Sequence, residues 1–227
     1  MTDPFLRASW VAAAGEDAVR RYAAAVADSS SAGRTAAYSL TAKTPVMASI
    51  TSRLEHLGGA TYPVLPTHLI LTDVESLESA LALEEQVPRP DEFAVTIVVS
   101  GLYREVATVI GVLGPPDDGP AAAIQFGTFN MHSAADEEAI SRWYATRRLP
   151  SFAAIDGGHR ARRWVSVIGG PARLGVLYEF RSLQDRVDHF EPLETVDHDE
   201  DQPTAATRTV HPPMSPSVGA LLLPEIP

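Results

Sequence analysis

Two pairs of matching segments constrain this chain more than anything else in it. Glu16-Asp17-Ala18-Val19-Arg20-Arg21-Tyr22 matches Glu137-Glu138-Ala139-Ile140-Ser141-Arg142-Trp143 in residue type at nearly every position. Ile70-Leu71-Thr72-Asp73-Val74-Glu75-Ser76-Leu77 lines up with Val176-Leu177-Tyr178-Glu179-Phe180-Arg181-Ser182-Leu183. A repeated unit dictates how its copies pack, so it is weighed before local propensity. The first pair reads as the opening turns of a helix, with acidic residues placed where they favour the helix dipole. The second reads as a strand running into a helix. The spacing between the two matches differs between copies, so the first copy carries extra residues, Ser29 to Pro66, between its first helix and its third strand.

Periodicity supplies the remaining elements. Strands are expected near 5–12, 35–40, 67–73 and 93–102, with helices at 16–27 and 75–85; this is the order βαββαβ. The order recurs with strands at 122–130, 160–167, 174–180 and 204–211, and helices at 136–147 and 182–190. The expected fold class is therefore α+β, with two ferredoxin-like βαββαβ repeats at 1–114 and 120–227. The run Gly114-Pro115-Pro116-Asp117-Asp118-Gly119-Pro120 links them, and a proline-rich tail from Pro212 is expected to wrap the surface or a partner. One such unit leaves a sheet face bare, and a bare apolar face must be covered. Two copies cover each other face to face as a barrel, closed inside one chain, so the protein is expected to be a monomer or a homodimer.

Composition narrows the chemistry. With 45% hydrophobic and 21% charged residues in 227, the chain has enough apolar material for a core and too little charge for disorder. No apolar stretch reaches the ~18–20 residues of a membrane span, and Met1-Thr2-Asp3-Pro4-Phe5 has neither the basic flank nor the apolar run of a signal peptide, so a cytoplasmic protein is expected. The absence of cysteine removes disulfides, thiolate nucleophiles and cysteine-based metal sites. A formal charge of −11, with Lys43 the only lysine, argues against a nucleic-acid or anionic-membrane partner. Neither a phosphate-binding Gly-Lys-Ser/Thr loop, nor Gly-x-Gly-x-x-Gly, nor a Gly-x-Ser-x-Gly elbow is present. Asp188-His189 and Asp197-His198-Asp199-Glu200-Asp201 have the residue types of a metal site without its spacing; they read as solvated acidic segments, and no metal or cofactor is expected. The lack of a recognisable motif disfavours haem, although an axial role for His68 or His189 stays open.

The stretch Trp143-Tyr144-Ala145-Thr146-Arg147-Arg148-Leu149-Pro150, then Ile155-Asp156-Gly157-Gly158, then Arg162-Arg163-Trp164, resembles the signature of EthD-like dimeric α+β barrel proteins. Leu177-Tyr178-Glu179-Phe180 resembles that family's next strand. The resemblance covers about 122 to 190. Two positions depart from it: the family's histidine before Leu-Pro is Arg148, and the proline before the glycine turn is Asp156. The resemblance implies a cavity for a small hydrophobic organic molecule. The wider superfamily spans cofactor-free quinone-forming monooxygenases, polyketide cyclases, isomerases and haem proteins, so fold alone does not choose a reaction. The reading taken is a cofactor-independent cyclase, lyase or isomerase acting on a hydrophobic, polyketide-like substrate. A quinone-forming monooxygenase and a non-catalytic binding protein are the alternatives.

Strand alternation nominates the residues. With Leu69 and Leu71 placed under the helices, His68, Ile70 and Thr72 face the barrel interior, and the repeat places Leu174, Val176 and Tyr178 beside them. His68 and Tyr178 become the leading proton carriers, as an imidazole base and a phenol that polarises a carbonyl. His211 joins them at the barrel rim. Along 122–132 the inward set is either Gln125, Gly127, Phe129 and Met131 or the opposite register with Thr128, Asn130 and His132; Gln125 and Phe129 are taken as substrate contacts. Arg162 and Trp164 share a strand face and are expected to bind an aromatic or carboxylate-bearing ligand by stacking and charge.

Overall fold

The computed structural model describes residues 4–29, 33–57, 62–116, 119–195 and 209–222. In chain order the elements are β1 (Phe5–Ala13), α1 (Glu16–Ser29), β2 (Arg34–Leu40), α2 (Pro45–Thr51), β3 (Glu55–His56), β4 (His68–Val74), α3 (Leu77–Gln86), β5 (Val95–Ile110) and β6 (Ala123–Met131). Then come α4 (Ala134–Trp143), a π-helical turn Tyr144–Arg148, α5 (Leu149–Phe152), β7 (Gly158–Gly169) and β8 (Leu174–Phe180). The chain continues with α6 (Leu183–Asp185), a second π-helical turn Arg186–Phe190, α7 (Glu191–Thr195), β9 (Thr209–His211) and β10 (Ser217–Leu221). Ser76 and Ser182, aligned by the repeat, each cap a helix by accepting the backbone N–H three residues on, from Ser79 and Asp185.

Eight antiparallel strands close a barrel in the order β10-β2-β4-β1-β5-β7-β8-β6, with β6 returning to β10. The first half of the chain contributes β2-β4-β1-β5 and the second β7-β8-β6-β10, the same order of first, second, third and last strand in each. The barrel therefore closes within one chain. A small parallel pair, β3 with β9, hangs off the far end of β6.

The closing strand differs from the one expected. Ser217–Leu221, expected within a surface tail, pairs with both β2 and β6. Thr209–His211 lies outside the ring; 204–208 and the acidic segment 197–201 lie outside the described residues. Three prolines at 212, 213 and 216 mask the strand, although a proline before a strand's first residue removes no ladder hydrogen bond.

Apolar residues fill three compartments. Leu6, Trp10, Leu69, Phe126, Trp164 and Leu177 pack inside the barrel, where Trp10 and Phe126 stack with ring centroids 5.5 Å apart. Outside the first half, α1 and α3 cover Val11, Ile70 and Val74. Outside the second, α4, α5 and the second π turn cover Phe129, Val176, Tyr178 and Phe180.

Candidate functional site

The cavity lies outside the barrel, on the helix-covered face of the second half, and has a volume of about 710 Å³. Its floor is the outer face of β6 and β8, with Gln125, Gly127 and Phe129 beside Val176 and Tyr178. Gly127 opens this floor, since a Cβ there would meet nothing within 4 Å. One wall runs from Ile140 of α4 through the π turn to Ser151; the opposite wall is Met47, Ile50, Thr51 and Leu54, from the segment carrying α2.

Both π turns carry an arginine turned inward. An extra residue in a helical turn shifts the following side chains off the regular face. In the first, Arg148 donates Nε to the Tyr178 hydroxyl at 3.3 Å and a terminal nitrogen to Glu194 at 3.0 Å. In the second, Arg186 donates to Gln125 Oε1 at 2.8 Å and to Glu191. Gln125 in turn donates to Glu194 at 3.1 Å. The result is a chain of partners from Tyr178 through Arg148, Glu194, Gln125 and Arg186 to Glu191. Burial raises the Tyr178 phenol; Arg148 and a hydrogen bond from Tyr144 oppose that shift without cancelling it. Burial raises Tyr144 as well. This end of the cavity thus holds the Arg148–Glu194 ion pair beside two neutral hydroxyls, a set of charged and neutral donors for a ligand oxygen.

At the other end sits His211. Its Nε2 lies 2.9 Å from Thr209 Oγ1 and its Nδ1 3.3 Å from Ser215 Oγ. Burial, then the neighbouring His56, pushes it down to about 4, so it is a neutral imidazole at physiological pH. Phe129 stands between the two ends, 5.7 Å from the His211 ring and stacked at 6.0 Å on Tyr144.

Four of the residues nominated from sequence, Tyr178, Gln125, Phe129 and His211, therefore meet in one cavity, but the three on β6 and β8 lie on the opposite sheet face from the one expected and His211 lies on β9, outside the ring. The inward residues are Leu69, Leu71 and Leu177, so His68 and Tyr178 point outward, in different halves. Nearly every residue of β4 and β8 is buried, and a strand buried on both faces carries no alternation that says which face meets the helices. His68 lies under α1, near Glu16 and Arg20, away from the cavity. Along β6, Ile124 and Phe126 face inward; Gln125 and Phe129 belong to one face, as expected, and that face is the outer one.

Arg162 and Trp164 point into the barrel. The Arg162 guanidinium stacks 4.9 Å above the Trp164 ring and is consumed by Asp73 at 2.5 Å and Glu179 at 3.4 Å. The expected stacking exists, but between the pair rather than onto a ligand. Arg148 is a site residue that the sequence reading does not nominate, although its replacement of the expected histidine before Leu149-Pro150 is the available signal. Glu194 and the α2 wall are further additions from the structure.

The residues do not fit a histidine-ligated haem. His68 lies under α1, and His189 is a surface residue 3.9 Å from Asp156. His211, the one histidine on the cavity wall among the described residues, has both ring nitrogens engaged by hydroxyls. No group of three or more metal-binding side chains occurs among the described residues, and none of their helices is long and apolar enough to cross a membrane.

No known protein family and no curated protein matches the chain by sequence. Solved structures do. An anthrone oxidase-like protein aligns with a TM-score of 0.60 at 10% identity, covering 98% of this chain and 92% of its own. A candidate monooxygenase from Fusobacterium nucleatum aligns with a TM-score of 0.57 at 7% identity, covering 98% of this chain and 94% of its own. A chlorite dismutase variant from Candidatus Nitrospira defluvii, solved with cyanide, gives 0.55 at 9% identity, covering 97% and 91%. At such identities the likeness establishes the α+β barrel fold and nothing finer.

Proposed function

We propose that this protein is a cofactor-independent oxygenase of a planar phenolic or anthrone-like substrate. The observation that carries the reading is the cavity itself: aromatic walls between a hydroxyl-rich end, where Arg148 is paired with Glu194 beside Tyr178 and Tyr144, and a neutral imidazole at His211. Structural neighbours that are anthrone oxidase-like or candidate monooxygenases support oxygenation over the cyclase, lyase or isomerase reading, for which they offer no specific support. The matching strand order of the two halves, with the sequence repeat, supports two diverged ferredoxin-like units; the EthD-like affinity rests on the motif around Arg148.

In this mechanism His211 accepts a proton from the substrate's activated C–H or O–H through a hydroxyl on the cavity wall, Thr209 or Ser215, each of which is hydrogen-bonded to one of its ring nitrogens. The resulting carbanion or phenolate is held by Arg148, with Tyr178 donating to its oxygen and Tyr144 donating in turn to Tyr178. Dioxygen adds at the electron-rich carbon, and the hydroperoxide loses water to leave a carbonyl. The step balances: a methylene group and one dioxygen become a carbonyl group and one water. Four electrons leave the substrate, one oxygen atom ends in the carbonyl and the other in the water. An oxygen electrode with anthrone, a naphthol and a tetracyclic phenol tests the reading. One dioxygen consumed per carbonyl formed is expected; turnover of a substrate without oxygen uptake would return the cyclase class to first place.

A further inference from the structure

The extra segment in the first half of the chain does not stay with that half. Thr44 caps α2 by accepting the N–H of Met47, and Pro45 occupies the helix's first position. Met47, Ile50, Thr51 and Leu54 follow at helical spacing, one face, and that face lines the cavity of the second half. A helix this short is not stable alone, so its place is set by what it docks on. The docking points are the two polar ends of the site. Lys43 donates to the Ser215 carbonyl at 3.3 Å, and the Ser215 hydroxyl neighbours His211. Thr44 donates to Glu191 at 2.5 Å, and Glu191 holds Arg186, which holds Gln125. Beyond α2, Leu57 donates its N–H to the His211 carbonyl, and β3 pairs with β9.

We propose that the segment Lys43–Leu57 is the specificity-determining wall of the site, with Met47 and Ile50 setting the size of ring system that fits between it and Phe129. The proposal rests on the reading of this cavity as a substrate site but not on the reaction carried out there. It predicts that the wall is latched from both ends, so that loosening the Thr44–Glu191 contact weakens binding of large ligands more than small ones.

The test measures binding, by quenching of Trp143 fluorescence and by calorimetry, for a naphthol, anthrone, a tetracyclic phenol and anilinonaphthalene sulfonate. Ile50→Ala is expected to shift the affinity ratio of tetracyclic to bicyclic ligand upward by about tenfold, and Ile50→Trp to shift it downward by at least as much, in line with removing or adding wall volume. Thr44→Val, which keeps the shape and removes the hydroxyl, is expected to lower tetracycle affinity about fivefold. Unchanged ratios in all three folded variants would overturn the proposal, as would failure of every probe to bind the wild-type protein. Shifted ratios in a protein that consumes no oxygen with any phenol would uphold the wall and overturn the oxygenase reading alone.

Discussion

The outer faces of the two halves use the same strand register for opposite ends. In the first, Arg7 stands opposite Thr72 and Ser9 opposite Ile70; in the second, Gln125 stands opposite Tyr178 and Gly127 opposite Val176. Arg7 is satisfied at once, by Glu84 of α3 at 2.7 Å and by Ser9 at 2.7 Å. Its face is sealed by α1, an unbroken fourteen-residue helix that buries Val19, Tyr22, Ala23 and Val26. On the second face both covering helices are broken by π turns, a glycine replaces the side chain at the centre of the floor, and the arginines arrive from the helices instead of the strand. A cavity follows where helices are interrupted, and a packed core where they are not. One face secures the fold, and the other has room for a ligand.

The sharpest way to break this contrast is to remove an arginine from each face. Arg148→Gln is expected to lower kcat/KM for oxygenation by about 10²–10³-fold, the scale of losing a charge-stabilising donor, with most of the loss in kcat. Arg7→Met strips a buried cation from Glu84 and is expected to cost about 1–3 kcal/mol of stability, roughly 2–10 °C in Tm, with kcat/KM within about twofold of wild type. Equal catalytic losses in both variants, read by steady-state oxygen uptake, would erase the distinction between the faces.

Glycines separate the faces next. Gly127→Leu adds a side chain to open space, so the barrel should keep its Tm within a few degrees while affinity for an anthrone-sized ligand falls by about 50-fold or more. Gly175→Ala supplies the contrast. Its Cβ would lie 2.8 Å from the Phe126 ring inside the barrel, so overpacking of about 1–3 kcal/mol should appear in thermal melts and affinity should change little. Retained binding in Gly127→Leu would place the ligand elsewhere.

How much of this is legible in the sequence follows from which signals survive two-sided burial. Element order from β1 to β8 does, apart from α2 and β3, because the repeat and the capping serines Ser76 and Ser182 are local features. That Gln125 and Phe129 share a face with one another, and Tyr178 a strand with Val176, also comes through, since alternation groups residues correctly even when both faces are apolar. Which group meets the helices does not: Leu69, Ile70 and Leu71 are equally suited to either side, and a one-residue choice flips every side chain at once. The π turns are invisible because Tyr144–Arg148 and Arg186–Phe190 read as ordinary helix. The α2 face, Met47, Ile50, Thr51 and Leu54, is written in the sequence at helical spacing, but its destination in the other half is a tertiary fact that spacing cannot give.

The pH response tests the cavity face further. His211 is pushed down to about 4 in the folded chain, against an ordinary value near 6.5. The unfolded chain therefore binds this proton first as pH falls, so His211 contributes stability that is fully present above about pH 6.5 and is lost on going down toward about pH 4. The loss is on the order of 3 kcal/mol. His211→Gln should flatten the acid side of the stability curve measured by chemical denaturation between about pH 4 and 7. If His211 is the base, the acid limb of kcat/KM in the wild type should fall near about pH 4 to 5 rather than near 6.5, provided the protein stays folded there. A limb at about 6.5 would assign proton removal to a different group.

The smallest expected effect is at His68. The residue is buried beneath α1, with Nδ1 2.8 Å from Thr67 Oγ1 and Nε2 without a hydrogen-bond partner among the described residues. Burying an imidazole with one nitrogen unmatched costs stability, and the single hydrogen bond to Thr67 recovers only about 1 kcal/mol of it. Burial lowers its pKa, so His68, like His211, contributes stability above its unfolded value that fades as pH falls. His68→Leu places an apolar group among Val11, Ile70 and their neighbours, removing the unmatched nitrogen and the acid sensitivity together. Its Tm at neutral pH should be unchanged or higher by about 2–4 °C, the gap from wild type should widen at about pH 5, and kcat/KM should stay within about twofold. A tenfold fall in kcat/KM with a normal melt would show that the sealed face takes part in turnover, and the division between a face that stabilises and a face that binds would fail there.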